Sequence, residues 1–156
     1  MNLFSKTAVT AIGNIWKSAL LASALMGSCA AYAQTTPVGL WKVFDDDTKQ
    51  PSSLVRIVDA GGVLSGKVEK LLDPGAQNAK CDKCTDERKD KPVLGMTILR
   101  NVKKTGDDSW GDGDILDPDN GKIYRVRLKP IDGGKKLEVR GYIGVFFRDQ
   151  HWLREE

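Results

Sequence analysis

Histidine is nearly absent from this chain: His151 is the only one among 156 residues, and there are three cysteines. One imidazole excludes a histidine-rich metal site. It also leaves little for nucleophilic chemistry, because no Gly-x-Ser-x-Gly elbow and no Cys–His pair accompanies it. In the strand reading below, His151 falls on the face opposite Gln150 and Arg154, as a half-exposed strand residue rather than a base. Charge of one sign is lacking too. The 24 Lys and Arg stand against 21 Asp and Glu, interspersed along the chain. No basic stripe for a polyanion results, so nucleic acid is not an expected partner. An apolar run of roughly 20 residues, the length a bilayer needs, is missing throughout.

The first 33 residues read as a signal peptide. Lys6 and Lys17 carry its positive charge, acids are absent, Ala19 to Met26 are mostly apolar, and Ala31-Tyr32-Ala33 fits a small-x-small cleavage site before Gln34. Residues 34–37 then form a short linker and residues 38–156 a single domain. Without Lys6 and Lys17 the balance is 22 basic against 21 acidic groups, so the basic character belongs largely to the leader. The expected location is the periplasm of a Gram-negative bacterium, or outside the cell, with no transmembrane segment left after cleavage.

Cleavage removes Cys29 and leaves Cys81 and Cys84. A thioredoxin-like site needs a βαβ context, haem attachment needs a His where Thr85 stands, and a zinc site needs two further soft ligands. A small-loop disulfide remains, in keeping with an oxidising compartment.

What the chain has in quantity is short apolar alternation broken by turn residues. Eight strands are expected, at about 39–44, 53–58, 62–70, 94–102, 111–117, 122–131, 136–143 and 147–154. Asp59-Ala60-Gly61-Gly62, Asp117-Pro118-Asp119-Asn120-Gly121 and Asp132-Gly133-Gly134 supply hairpin turns. The two-residue period places Tyr124, Val126 and Leu128 on one face of their strand and Leu137, Val139, Gly141 and Ile143 on one face of the next. Gly66, Gly95 and Gly141 inside strands suggest bends or close packing. With no helical pattern between strands, the expected fold is all-β: a small closed or nearly closed antiparallel up-and-down barrel of about eight strands, lipocalin-like. Trp41 and Trp152 lie on its first and last strands. Residues 72–93, without apolar periodicity and holding both cysteines, read either as a lid or as a stapled surface loop.

Gly39-Leu40-Trp41-Lys42, Leu54-Val55-Arg56-Ile57, Leu64-Ser65-Gly66-Lys67-Val68, Cys81-Asp82-Lys83-Cys84, Gly113-Asp114-Ile115-Leu116-Asp117-Pro118, Val139-Arg140-Gly141-Tyr142-Ile143-Gly144 and Gln150-His151-Trp152-Leu153-Arg154 together resemble the exported bacterial family DUF2147, over nearly all of residues 38–154. The resemblance implies a small exported β-barrel and carries over no catalytic residue. A wider similarity is to lipocalin-like barrels, whose first strand opens with Gly-x-Trp and whose Trp is crossed by an Arg from near the last strand. Gly39 and Trp41 match the first element, and Arg154 or Arg148 the second. Gly39, Trp41, Trp152 and Arg154 are therefore the expected barrel-closing set.

Asp45-Asp46-Asp47 and Asp112, Asp114, Asp117 and Asp119 invite a calcium reading. The second group fails the EF-hand template at Gly121 and Lys122, and turn chemistry accounts for it. Neither metal nor cofactor is expected. Arg56, Trp110, Arg140 and Tyr142 are the candidate ligand-binding residues, suited to an anionic or ring-bearing molecule. Cross-strand ion pairs, Arg56 with Glu69 and Arg140 with Glu138, are the competing explanation of the two arginines. The expected function is non-catalytic binding of a small apolar or amphiphilic molecule at the barrel mouth. The alternative is an envelope protein-interaction or structural module.

Overall fold

A computed structural model of the protein describes residues 35–156; the expected signal peptide, 1–33, lies outside the described residues. The strands are β1 (Gly39–Phe44), β2 (Pro51–Asp59), β3 (Val63–Leu71), β4 (Thr97–Gly106), β5 (Ser109–Asp117), β6 (Lys122–Ile131), β7 (Lys136–Ile143) and β8 (Phe146–Arg154). Two short 3-10 turns, Pro74–Ala76 and Asp132–Gly134, complete the regular structure. Each strand pairs antiparallel with the next, and β8 returns to β1 to close the barrel. No helix among the described residues is long and apolar enough to cross a membrane.

Alternation decides which side chains fill the interior. Trp41, Val55, Ile57, Leu64, Val68, Leu99, Val102, Val126, Leu128, Leu137, Val139 and Trp152 are all buried in one core cluster. Burying each side chain of this size contributes about 1.5–3 kcal/mol. The barrel axis is thus occupied by protein.

β4 departs from the expected span. Leu94, Gly95 and Met96 form a turn, with Gly95 at φ +81°, although the Gly95 N–H donates to Val68 O and the Val68 N–H to Met96 O. Regular pairing begins at Thr97 opposite Lys67. Asn101 and Asp112 adopt φ 58° and 60° inside β4 and β5, as Asn and Asp tolerate. These residues interrupt the two-residue period, and the register shifts beside them. Between those strands a Cβ on Gly113 would stand 2.2 Å from Arg100 O, so only glycine allows the approach.

The end of the barrel carrying the β2–β3, β4–β5 and β6–β7 turns is sealed by Arg154. Its guanidinium lies 4.1 Å from the Trp41 ring centroid. It donates to the carbonyl oxygens of Gly134 at 2.6 Å, Thr36 at 2.6 Å and Val38 at 2.9 Å. Trp41 Nε1 donates to Pro37 O at 2.7 Å. Arg148 sits toward the opposite end and pairs with Asp46 instead.

Candidate functional site at the barrel mouth

The other end of the barrel is half covered. The 72–93 loop folds down against β3–β6 and places Cys81, Cys84 and Val93 in the core cluster, joined by Met96. Cys81 and Cys84 form a disulfide. Three ties dock the loop. Lys83 Nζ donates to Asp119 O at 2.8 Å. Gly121, at φ +70°, lies so close beneath that a Cβ would stand 2.0 Å from Lys83 O. Arg88, 4% exposed, forks onto Asp86 and donates to Thr97 O at 3.1 Å, while Arg100 pairs with Glu87 at 2.6 Å. Arg88's hydrogen bonds hold the Asp86 carboxyl below its ordinary range. The loop is a plug over one half of the mouth, packed by buried residues that follow no period.

The uncovered half lies where β1 and β8 part. Their pairing is confined to Trp41↔Arg154 and Lys42↔Leu153. Beyond it opens a cavity of about 270 Å³, lined by Phe44, Asp46, Lys49, Gln150, His151 and Trp152 among others. A polar chain runs from its rim to its floor. Arg148 Nη2 stands 3.0 Å from Asp46 Oδ2, which also accepts from Gln150 Nε2 at 2.8 Å. Gln150 Oε1 in turn accepts from Trp152 Nε1 at 3.1 Å. Asp45 shapes the wall by accepting from the Thr48 N–H at 2.6 Å and the Thr48 hydroxyl at 2.8 Å, bonds that lower its carboxyl pKa. Across the opening, Asn120 Nδ2 lies 3.1 Å from the Tyr124 hydroxyl. The Tyr124 side chain covers Gly141, where a Cβ would meet it at 3.3 Å. Asp119 is exposed as a residue. Even so, crowding of its carboxyl and then the charges of Asp117 and Asp45 raise its pKa, against the pull of Lys83.

This arrangement suits shallow recognition. Its floor is an indole edge, and its polar groups both donate and accept. Among the described residues no three His, Cys, Asp or Glu side chains are grouped to hold a metal ion.

The four candidate ligand-binding residues do not converge. Arg56 stands on the outer wall of β2, ion-paired with Glu69 at 2.8 Å and Glu156 at 2.9 Å. Trp110 is half-buried on β5 toward the sealed end, with Lys104 Nζ 5.7 Å from its ring centroid. Arg140 and Tyr142 flank the mouth on the outer face of β7. Arg140 forks onto Asp149 and lies over the Phe147 ring at 4.6 Å, and this bonding holds the Asp149 carboxyl low. Glu138 pairs with Arg127 rather than Arg140, because the register sets Arg140 opposite Asp149. Sequence reasoning noted Asp46 only within an acidic cluster, and it missed Gln150. Gln150 had a usable signal: a polar side chain sharing the inward parity of Trp152.

The family model described as "Uncharacterized protein conserved in bacteria (DUF2147)" matches residues 39–154. A solved structure described as protein HP1028 from the human pathogen Helicobacter pylori, belonging to the lipocalin family, is similar to this chain at TM-score 0.66 and 20% identity. The similarity covers 76% of this chain and 82% of that one, and at this identity it speaks to fold alone. No curated protein matches the chain.

Proposed function

Because the chain belongs to DUF2147, a family described without an activity, we propose its function from the mouth geometry: non-catalytic, shallow binding of a small amphiphilic molecule in the cleft between β1 and β8. The carrying observation is the Arg148–Asp46–Gln150–Trp152 chain beside the cavity of about 270 Å³. A polar head group would exchange hydrogen bonds with Gln150 and Asp46, and a short apolar portion would rest on Phe44 and Trp152. The packed interior argues against a ligand swallowed along the axis. Export to the bacterial periplasm belongs to the same reading, supported by the Cys81–Cys84 disulfide in a small domain.

The test is a titration of the Trp152 indole N–H resonance with monomeric short-chain amphiphiles, lysophospholipid and decanoate first. Saturable shifts at Trp152 with Trp110 unmoved are expected. Gln150→Leu should weaken the affinity about fivefold, the worth of one hydrogen bond of about 1 kcal/mol. An unmoved Trp152 resonance across the series overturns the reading.

The alternative, an envelope interaction module, draws on a groove of about 500 Å³ on the outer wall, lined by Arg56, Val58, Lys67, Glu69 and Leu94 among others. Reproducible crosslinks from that wall in intact cells would favour it.

A further inference from the structure

The turn between β7 and β8 carries the largest exposed apolar side chains of the described residues. Val145 is 89% exposed, Phe146 74%, Phe147 60% and Ile143 48%, with Ile123 of neighbouring β6 at 44%. A Cβ built on Gly144 meets nothing within 4 Å, so the turn projects into open space. Tyr142 packs its ring 6.3 Å from that of Phe147. From Arg140 to Arg148 the chain reads Arg-Gly-Tyr-Ile-Gly-Val-Phe-Phe-Arg, with no acid. Lys122 and Arg125 stand exposed on adjacent β6, where Arg125 pairs across the ladder with Tyr142. Neither has an ion-pair partner among the described residues.

We infer that this hairpin tip inserts into the surface of an anionic lipid bilayer. A convex apolar projection has no flat face to offer a protein partner, but it fits between lipid head groups, burying its side chains in the first few ångströms of acyl chain. Aromatic rings are at home at that depth. The cations sit where head-group phosphates would lie. Arg140 and Arg148 are already engaged with Asp149 and Asp46, so the positive charge available to lipid is that of Lys122 and Arg125, which stand opposite Asp117 and Asp114 across the β5–β6 ladder without ion-pairing to them. Each basic group near an anionic surface adds attraction that salt screens. The tip borders the mouth, so an inserted protein holds its cleft against the lipid surface. The inference stands on the exposed tip and does not require the cleft to be occupied.

The experiment is cosedimentation of the protein with vesicles of mixed phosphatidylcholine and phosphatidylglycerol, and with phosphatidylcholine alone. Binding is expected to the mixed vesicles. It should fall more than about tenfold in the Phe146→Ser, Phe147→Ser double variant, since each ring loses its burial. Lys122→Gln with Arg125→Gln should reduce it severalfold and remove most of its salt sensitivity. Leu153→Ser, at an exposed apolar residue away from the tip, should bind as wild type. Three results overturn the inference: no vesicle binding, binding indifferent to the phenylalanines, or tip-dependent self-association without lipid in sedimentation velocity, which would make a second copy the occupant. The amphiphile titration uses monomeric ligand without vesicles, so either proposal can fail while the other stands.

Discussion

Arg154 combines a ring contact with hydrogen bonds to carbonyls from three separate stretches of chain: 36–38, the 132–134 turn and the C-terminus. Arg154→Ala would leave those carbonyls under-satisfied at the sealed end, and a loss of about 2–4 kcal/mol is expected in urea denaturation. Lysine in its place should restore only part, because it cannot fork. Gly121 is a different case. Its backbone lies beneath Lys83 O, so Gly121→Ala forces the loop to lift as well as straining the left-handed turn. It should lower stability by more than about 2 kcal/mol, whereas Gly62→Ala, equally left-handed but facing open space, loses about 1 kcal/mol. Asp86 sets a pH response. Arg88 holds its folded pKa below the ordinary 3.8, so between those values the unfolded chain binds more protons. The stabilisation is fully present above about pH 4 and disappears as pH falls through the folded value. Protection of the amides across residues 78–93, taken relative to the intrinsic exchange rate at each pH, should fall as pH drops below about 4, and Asp86→Asn should be less protected already at neutral pH, with a flatter acid dependence.

Elements were legible where the two-residue period survived. β6 and β7 show it throughout their sequences, and their expected spans coincide with those observed, Lys122–Ile131 and Lys136–Ile143, although Ile143, expected inward with Leu137 and Val139, lies exposed beyond the rim of the core. β4 was misplaced because Gly95 and Asn101 break the alternation, so an apolar Leu94 looked like strand while Lys103–Gly106 did not. The 72–93 plug was illegible for a deeper reason. Its buried members, Cys81, Cys84, Arg88 and Val93, are chosen by contacts with distant turns rather than by a local period. The mouth was half legible. Parity sets Gln150 beside Trp152, but only the β1–β2 loop geometry brings Asp46 to it. The disulfide closes so short a loop that chain entropy accounts for at most about 2 kcal/mol. Cys81→Ala with Cys84→Ala should lose more than reduction of the wild type does, because it also empties space around two buried sulfurs. Urea curves with and without reductant would separate the two contributions.

For the whole molecule, closure depends on the first and last strands finding one another across the full length of the domain. Such non-local pairing folds slowly, in milliseconds to seconds, and as one cooperative unit. Trp152→Ala, removing a buried core ring beside that seam, should lower stability by about 3–5 kcal/mol and chiefly speed unfolding if the seam forms last, which stopped-flow kinetics would show. The Arg154 cluster has a geometric corollary. Thr36, Val38 and Glu156 all gather around one guanidinium, so the chain ends of the domain are neighbours at the pole opposite the mouth. A few added residues could splice them and new ends be cut at the exposed Asp107-Asp108 turn, giving a circularly permuted barrel with the same cleft. An anchor or reporter joined directly ahead of Thr36 or after Glu156 would hang from that pole like a handle, leaving the cleft and its hydrophobic spur pointing away.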